Sequence, residues 1–216
     1  MTTTQEFKNY LVSPGSVAST YVENLFGARI ESPKKSFNAH ERNANLSLFN
    51  NSRVCYIFGN PYDIVLSYFR RNFLFFPYQH TTNITGDLNA LCKVPSIVSE
   101  SFRRPFCWFL KPEWTLDEYL ELESDPFKLK EHFLNWYNNP TRKYEIMFLR
   151  YETLSENIKE LCSWYNLDDG YAEKFQKKTR NSNYKNLNNI RLKKMKRLYG
   201  ELFDLLESLP DLIVDP

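Results

Sequence analysis

A chain of 216 residues with 28 Lys and Arg against 26 Asp and Glu, net charge +2, has no bulk attraction for nucleic acid or an acidic surface. The length suits one domain with a core large enough to need no staples, and 16% aromatics suit a globular protein with an apolar pocket. The four cysteines (Cys55, Cys92, Cys107, Cys162) are scattered, and the N-terminus is polar with no long apolar run anywhere, so the expectation is a soluble, cytoplasmic protein with buried free thiols, no signal peptide and no membrane span.

In chain order, Tyr10-Leu11-Val12 reads as a short buried strand and Ser13-Pro14-Gly15-Ser16 as turn chemistry. Ala18 to Phe26 reads as a helix with Tyr21, Val22, Leu25 and Phe26 on one face and Gly27 as its stop. A small-residue loop between strand and helix is how backbone amides come to wrap a phosphate. The spacing Ser13-x-x-x-x-Ala18-Ser19-Thr20 echoes G-x-x-x-x-G-K-[ST], with Ser19 where that pattern has Lys. Any Ser- and Gly-rich βα turn would look much the same. Lys34 to Asn38 reads as a second strand ending at Asn38-Ala39-His40. A lone His at a strand end is more often a polar edge residue than a catalyst.

The most informative stretch is Arg53 to Arg71. Val54 to Gly59 is apolar on both faces and rich in β-branched and aromatic residues, as in a strand buried inside a parallel sheet. Asn60-Pro61 breaks it, Pro61 suits a first helical position, and Asp63 to Arg71 is expected to be an amphipathic helix through Ile64, Val65, Tyr68 and Phe69. A strand running straight into a helix offers free N–H groups and the positive dipole end to an anion. Ser67 stands one turn in, with Arg70 and Arg71 behind it.

Residues 73–112 lack a clean period and read as an inserted lid or cover. Thr115 with Glu118 forms a capping-box pattern, and Asp125-Pro126 opens a helix with Phe127, Leu129, Phe133, Leu134 and Tyr137 on its apolar face and His132 on its surface. Tyr144 to Leu149 is a buried strand, followed by Arg150-Tyr151-Glu152-Thr153-Leu154 and a helix from Glu156 to Tyr165 that Asp168-Asp169-Gly170 ends. Glu152 is placed to pair with Arg150 or to cap that helix. Lys177-Lys178-Thr179-Arg180-Asn181-Ser182 is loop-like, the basic run from Arg191 reads as a solvated helix face, and Leu198 to Leu209 as a plain amphipathic helix.

Asn60-Pro61-x-Asp63-x-x-x-Ser67-Tyr68 resembles the R-N-P-x-D-x-x-x-S-Y motif of sulfotransferases that use 3′-phosphoadenosine 5′-phosphosulfate (PAPS). The resemblance implies that Ser67 helps hold the 3′-phosphate. The family's Arg falls on Gly59, so Arg70, Arg71, Arg180 and Lys178 become the candidate replacements. Ala18-Ser19-Thr20-Tyr21 resembles the G-T-T-W of the 5′-phosphosulfate loop P-K-x-G-T-T-W, which implies cofactor contacts from Gly15, Ser16, Val17, Ala18, Ser19, Thr20 and Tyr21. The family's catalytic Lys falls on Ser16, or on Gly15 if the alignment slides to match Pro14. His40 matches the general base of the family's K-T-H or K-S-H, and Lys34 or Lys35 could stand in for the missing lysine. Arg150-Tyr151-Glu152 resembles the family's R-Y-E segment.

These parts imply a single α/β domain, three-layered around a mostly parallel central sheet, with an acceptor-side insertion at 73–112 and a helical C-terminal part at 153–209. The implied fold is the P-loop-NTPase-like sulfotransferase fold. The implied activity is in-line sulfuryl transfer from PAPS to a hydroxyl or amine, with PAP as product, His40 and Ser16 as catalytic residues, a small-molecule, carbohydrate or peptide acceptor, and no metal, nucleic acid or membrane partner. Two rivals stay open: a P-loop nucleotide kinase, opposed by Ser19 in place of Lys, and a non-catalytic PAP- or PAPS-binding member, favoured by the two lost cations.

Overall fold

The structure is a computed structural model and describes residues 7–31, 41, 43–70, 115–125, 127–177 and 180–215. In chain order the elements are β1 (Lys8–Val12), α1 (Ser19–Phe26), β2 (Ser52–Phe58), α2 (Pro61–Arg70), α3 (Leu116–Tyr119), α4 (Leu129–Tyr137), β3 (Glu145–Arg150), α5 (Ile158–Trp164), α6 (Gly170–Glu173), α7 (Asn189–Ser208) and β4 (Leu212–Asp215). The strands form one sheet in the order β1-β2-β3-β4. β1, β2 and β3 run parallel, pairing Tyr10 with Val54 and Val54 with Ile146; β4 joins β3 antiparallel, pairing Ile213 with Phe148. This is a mixed, mostly parallel sheet of an α/β fold. The chain gathers into two compact units, the first of residues 1–59, 133–179 and 210–216, the second of residues 60–132 and 180–209. The strand expected over Lys34–Asn38, the segment 73–112, Cys92 and Cys107 lie outside the described residues.

The first unit carries the sheet. Val54 to Phe58 are 0–1% exposed, as a central parallel strand requires. On one face Tyr56 meets Phe133 at 5.8 Å and Phe148 at 5.7 Å, while Phe58 meets Phe133 at 5.8 Å. Such pairs each add about 0.5–1.5 kcal/mol beyond their buried area. Tyr165 donates its hydroxyl to the Tyr10 carbonyl at 2.6 Å, and its ring is met edge-on by Phe26 of α1. Cys55 and Cys162 are free and buried, and burial pushes the Cys55 thiol far above its ordinary range. Arg150 fixes the start of β4: its N–H donates to the Asp211 carbonyl at 2.8 Å and its Nε lies 2.8 Å from Asp211 Oδ1. The helix after β3 is shorter than expected. A 3₁₀ turn over Tyr151–Thr153 intervenes, α5 starts at Ile158, and Asn166 at φ 54 stops it. Asp168-Asp169-Gly170 therefore opens α6 instead of ending α5, with Asp168 Oδ1 accepting the Gly170 N–H at 2.9 Å.

In the second unit α2 packs on α7, with the Tyr62 ring stacked on Phe203 at 4.8 Å. Thr115 and Glu118 make the full capping box at α3. The next helix starts at Leu129, not at Asp125-Pro126, because Lys128 sits in the left-handed region at φ 48. Asp125 caps from a distance, accepting the N–H of Phe127 at 2.8 Å and of Leu129 at 2.6 Å. That start sets the buried stripe of α4 as Leu129, His132, Phe133 and Trp136, so His132 is a core residue and not the surface residue expected. Tyr199 also donates to Asp125 at 2.5 Å, and the hydroxyls of Tyr119 and Tyr199 meet each other. The basic run and the amphipathic helix are one element, α7, capped by Asn188 Oδ1 on the Arg191 N–H at 2.9 Å. The run is not simply a solvated face. Arg191 makes two bonds to Asp117 at 2.7 and 2.6 Å, Lys194 pairs with Glu121, and Arg197 donates to the Leu120 and Leu122 carbonyls.

Candidate functional site

The loop from β1 to α1 combines three uncommon backbone settings. Gly15 (φ 95), Ser16 (φ 58) and Ala18 (φ 59) are all left-handed, and the Gly15 N–H is turned onto Ser13 Oγ at 3.1 Å. Where an ordinary residue is followed by a left-handed one, as at Val17-Ala18, successive N–H groups turn to one side and make an anion-binding concavity. Ala18 is the N-cap of α1 and offers no side-chain acceptor, and no acidic residue stands in the first turn. The Tyr21 and Val22 N–H groups turn back onto the Ala18 carbonyl at 2.9 and 3.0 Å, so it is the Ser19 and Thr20 N–H groups, with the positive dipole end, that can meet an outside anion. Ser19 is buried and Thr20 exposed. Val17 is fully buried by its side chain, so only its peptide group is available to a ligand. The Tyr21 hydroxyl accepts the Gln176 N–H at 2.9 Å and its ring meets Phe175, so Tyr21 tethers residues 175–177. Next to them Lys177 lies 2.9 Å from Glu156 and pulls that carboxyl down to about 2.

The second strand–helix junction is closed, contrary to expectation. Asn60 Oδ1 accepts the N–H of Tyr62 at 3.0 Å and, more weakly, of Asp63 at 3.4 Å. The chain caps its own helix there, and the N-terminus of α2 is no anion site. Just before it, Gly59 occupies the position of the family arginine. A Cβ at Gly59 would lie 3.1 and 3.3 Å from the two Glu152 carboxylate oxygens and 3.2 Å from Tyr151 Cβ. Glu152 thus fills the space beside Gly59, and Arg150 pairs with Asp211 and lies over the Phe58 ring at 5.1 Å.

Cations gather instead along α2. Asp63, Ser67 and Arg70 stand at i, i+4 and i+7, on one helix face. Residues 180–184 run along that face as a strap: the Tyr184 N–H donates to Asp63 Oδ1 at 2.7 Å, Arg180 Nη1 lies 3.6 Å from Asp63 Oδ2, and Arg70 Nε donates to Ser182 Oγ at 3.1 Å. The strap is fastened one turn before and one turn after Ser67, which is 1% exposed. Of the expected cofactor residues the second unit therefore brings together Ser67, Arg70 and Arg180, and the loop brings together Gly15 to Tyr21. His40, Lys34, Lys35, Arg71 and Lys178 lie outside the described residues. Asp63 and Ser182 had no role in the sequence reading. The spacing of Asp63 from Ser67 was visible; its partner 117 residues on was not.

Residues 32–204, well over half of the chain, match the family model described as Sulfotransferase domain. The chain belongs to the sulfotransferase family. No curated protein and no solved structure matches it. The match takes in β2, α2, β3 and the strap, while the loop 13–21 lies ahead of it and rests on its own geometry. For a sulfotransferase each part is appropriate by itself: amides and hydroxyls at a helix start in the first unit, and in the second two guanidinium groups bonded one turn to either side of buried Ser67. Among the described residues, no helix is long and apolar enough to cross a membrane.

Proposed function

We propose that this sulfotransferase moves a sulfuryl group from PAPS to a hydroxyl or amine acceptor in the cytoplasm, where buried free thiols such as Cys55 and Cys162 stay reduced. The observation that carries the reading is the uncapped start of α1 behind Gly15, Ser16 and Ala18. PAPS supplies an activated sulfuryl group on a phosphate leaving group. The amides from Ser16 to Thr20, with the Ser19 and Thr20 hydroxyls, hold its 5′-phosphate. Ser67, Arg70 and Arg180 hold the 3′-phosphate, with Arg71 and Lys178 as further cations. Donors fixed before reaction meet growing negative charge without reorganising, the logic of phosphoryl-transfer sites. The Ser16 hydroxyl takes the place of the family lysine as donor to the leaving oxygen. His40 accepts the acceptor's proton, as an imidazole titrating near neutrality can.

One observation favours a second reading, a member that binds PAP or PAPS without transfer: a carboxylate, not a guanidinium, stands beside Gly59. Calorimetric titration with PAP, ATP and adenosine 5′-phosphate separates the classes. Tight PAP binding without ATP binding is expected; ATP binding without PAP binding would move the chain to the nucleotide kinases. PAP binding with no transfer to a library of hydroxyls and amines would leave the non-catalytic reading standing.

A further inference from the structure

Charge is segregated along this chain in a way its net value hides. Lys174 to Gly200 holds ten of the 28 basic residues and no Asp or Glu, leaving 18 basic against 26 acidic residues elsewhere, a balance of −8. Part of this cationic segment is used internally, by Lys177, Arg191 and Lys194 on carboxylates, by Arg180 on Asp63 and by Arg197 on the Leu120 and Leu122 carbonyls. Lys185, Lys193 and Lys196 make no ion pair with the described residues. Helix α7 buries Met195, Tyr199, Leu202 and Leu206 along one side. The opposite side of its first half presents Ile190 and Lys193 at i and i+3, with Lys196 on the adjoining flank. Ile190 is 68% exposed, the most exposed of the large apolar side chains among the described residues.

We propose that this face, Ile190 with Lys193 and Lys196, docks the protein reversibly on an anionic phospholipid surface. Lysines meet acidic headgroups while their stems lie along the boundary, and an apolar side chain among them enters the acyl region. The exposed isoleucine decides between occupants. A sulfated glycan or a nucleic acid would use the cations and gain nothing from Ile190. An acidic peptide is read by a cluster of arginines, whereas the unpaired cations of this face are lysines. The same helix turns acidic further on, at Glu201, Asp204 and Glu207, so repulsion lifts that end and only the first turns engage. The inference is independent of the sulfotransfer reading.

Sedimentation of the full chain with vesicles tests it, using phosphatidylcholine alone and phosphatidylcholine with about one-third phosphatidylserine. Binding is expected only to the anionic vesicles, falling about tenfold or more in molar salt as screening shortens the field. Ile190→Asp should lower vesicle affinity about tenfold, and Lys193→Glu with Lys196→Glu should abolish it, because the face loses its apolar anchor or its charge. Both variants change exposed side chains, so their melting curves should overlay the parent's. The inference is overturned by absence of binding, by equal binding to neutral vesicles, or by an Ile190→Asp variant that binds as the parent does. Retention on heparin without vesicle binding, unchanged by Ile190→Asp, would assign the face to anionic glycans instead.

Discussion

Replacing Asp63 by Ala should loosen the strap over α2 and, with it, the hold on a 3′-phosphate. At least two interactions disappear. The Tyr184 N–H loses a carboxylate acceptor at 2.7 Å, a charge-assisted bond worth about 2 kcal/mol. Arg180 loses an ion pair at 3.6 Å whose side chains are 14% and 13% exposed. That pair is too long for a strong hydrogen bond and only partly desolvated, so about 1 kcal/mol is appropriate. The total of about 3 kcal/mol corresponds to a melting temperature lower by about 6–12 °C in a chain of this size. Calorimetry should show PAP binding weakened about 10- to 100-fold, one charge-assisted contact, with adenosine 5′-phosphate changed by less than about threefold. Asp63→Asn keeps an acceptor for Tyr184 and should recover most of the stability and of the PAP affinity. An Asp63→Ala protein that melts within about 1 °C of the parent, or that loses both ligands equally, would refute the strap as the 3′-phosphate clamp.

Four shorter predictions accompany this one. Ala18→Asp should place a carboxylate at the open end of α1 and weaken PAP at least about tenfold by titration, with no loss of melting temperature, since Asp tolerates the left-handed setting of residue 18. Gly59→Ala should destabilise by about 1–3 kcal/mol in urea unfolding because its Cβ crowds Glu152 and Tyr151, and Gly59→Arg should fail to improve PAP binding. Burial raises the Asp125 carboxyl above its ordinary value, so the native state favours its protonated form; stability from this group is present at low pH and lost as pH rises through the raised value, and the parent should gain on Asp125→Asn as pH falls from neutral. His40→Gln should cut sulfuryl transfer about 10²–10⁴-fold with PAP affinity unchanged, and near-full turnover would remove His40 from the reaction.

The sequence was legible where the signal is local or doubled. β1, β2 and β3 are apolar on both faces, a pattern that only buried strands share, and all three were found within about two residues. Thr115 and Glu118 announce their capping box over four positions. The two strand–helix junctions looked alike in sequence yet differ, and here a local signal was passed over: Asn immediately before Pro at a first helical position is a cap signature. Nothing in Ser13 to Ser19 announces that three residues turn left-handed. His132 was misplaced because its exposure depends on where α4 starts, and Lys128 delays that start through its tertiary setting. The strap and the Gly59–Glu152 contact join residues about 90 to 120 positions apart, so no window along the chain contains them.

The two departures from the family motifs are physically unlike. At Gly59 an arginine would be crowded, because its Cβ would stand 3.1 to 3.3 Å from Glu152 and Tyr151. In the proposed reading the compensating charge is Arg180 in the strap, which pairs with Asp63, a residue of the same motif. Binding can survive such an exchange, since a guanidinium serves a phosphate from either direction. Ser16 is itself buried, with its Oγ enclosed, on a left-handed backbone; in the transfer reading the loop is a cradle of amides in which a hydroxyl replaces an ammonium. An ammonium brings a full charge to the oxygen that leaves, and a hydroxyl brings a dipole. In the transfer reading this loss falls on rate more than on affinity, because the charge on that oxygen develops only as the bond breaks. Ser16→Lys then separates the readings of the loop: it should raise turnover while leaving PAP affinity nearly unchanged, whereas a gain confined to binding would mean that residue 16 never faces the leaving oxygen.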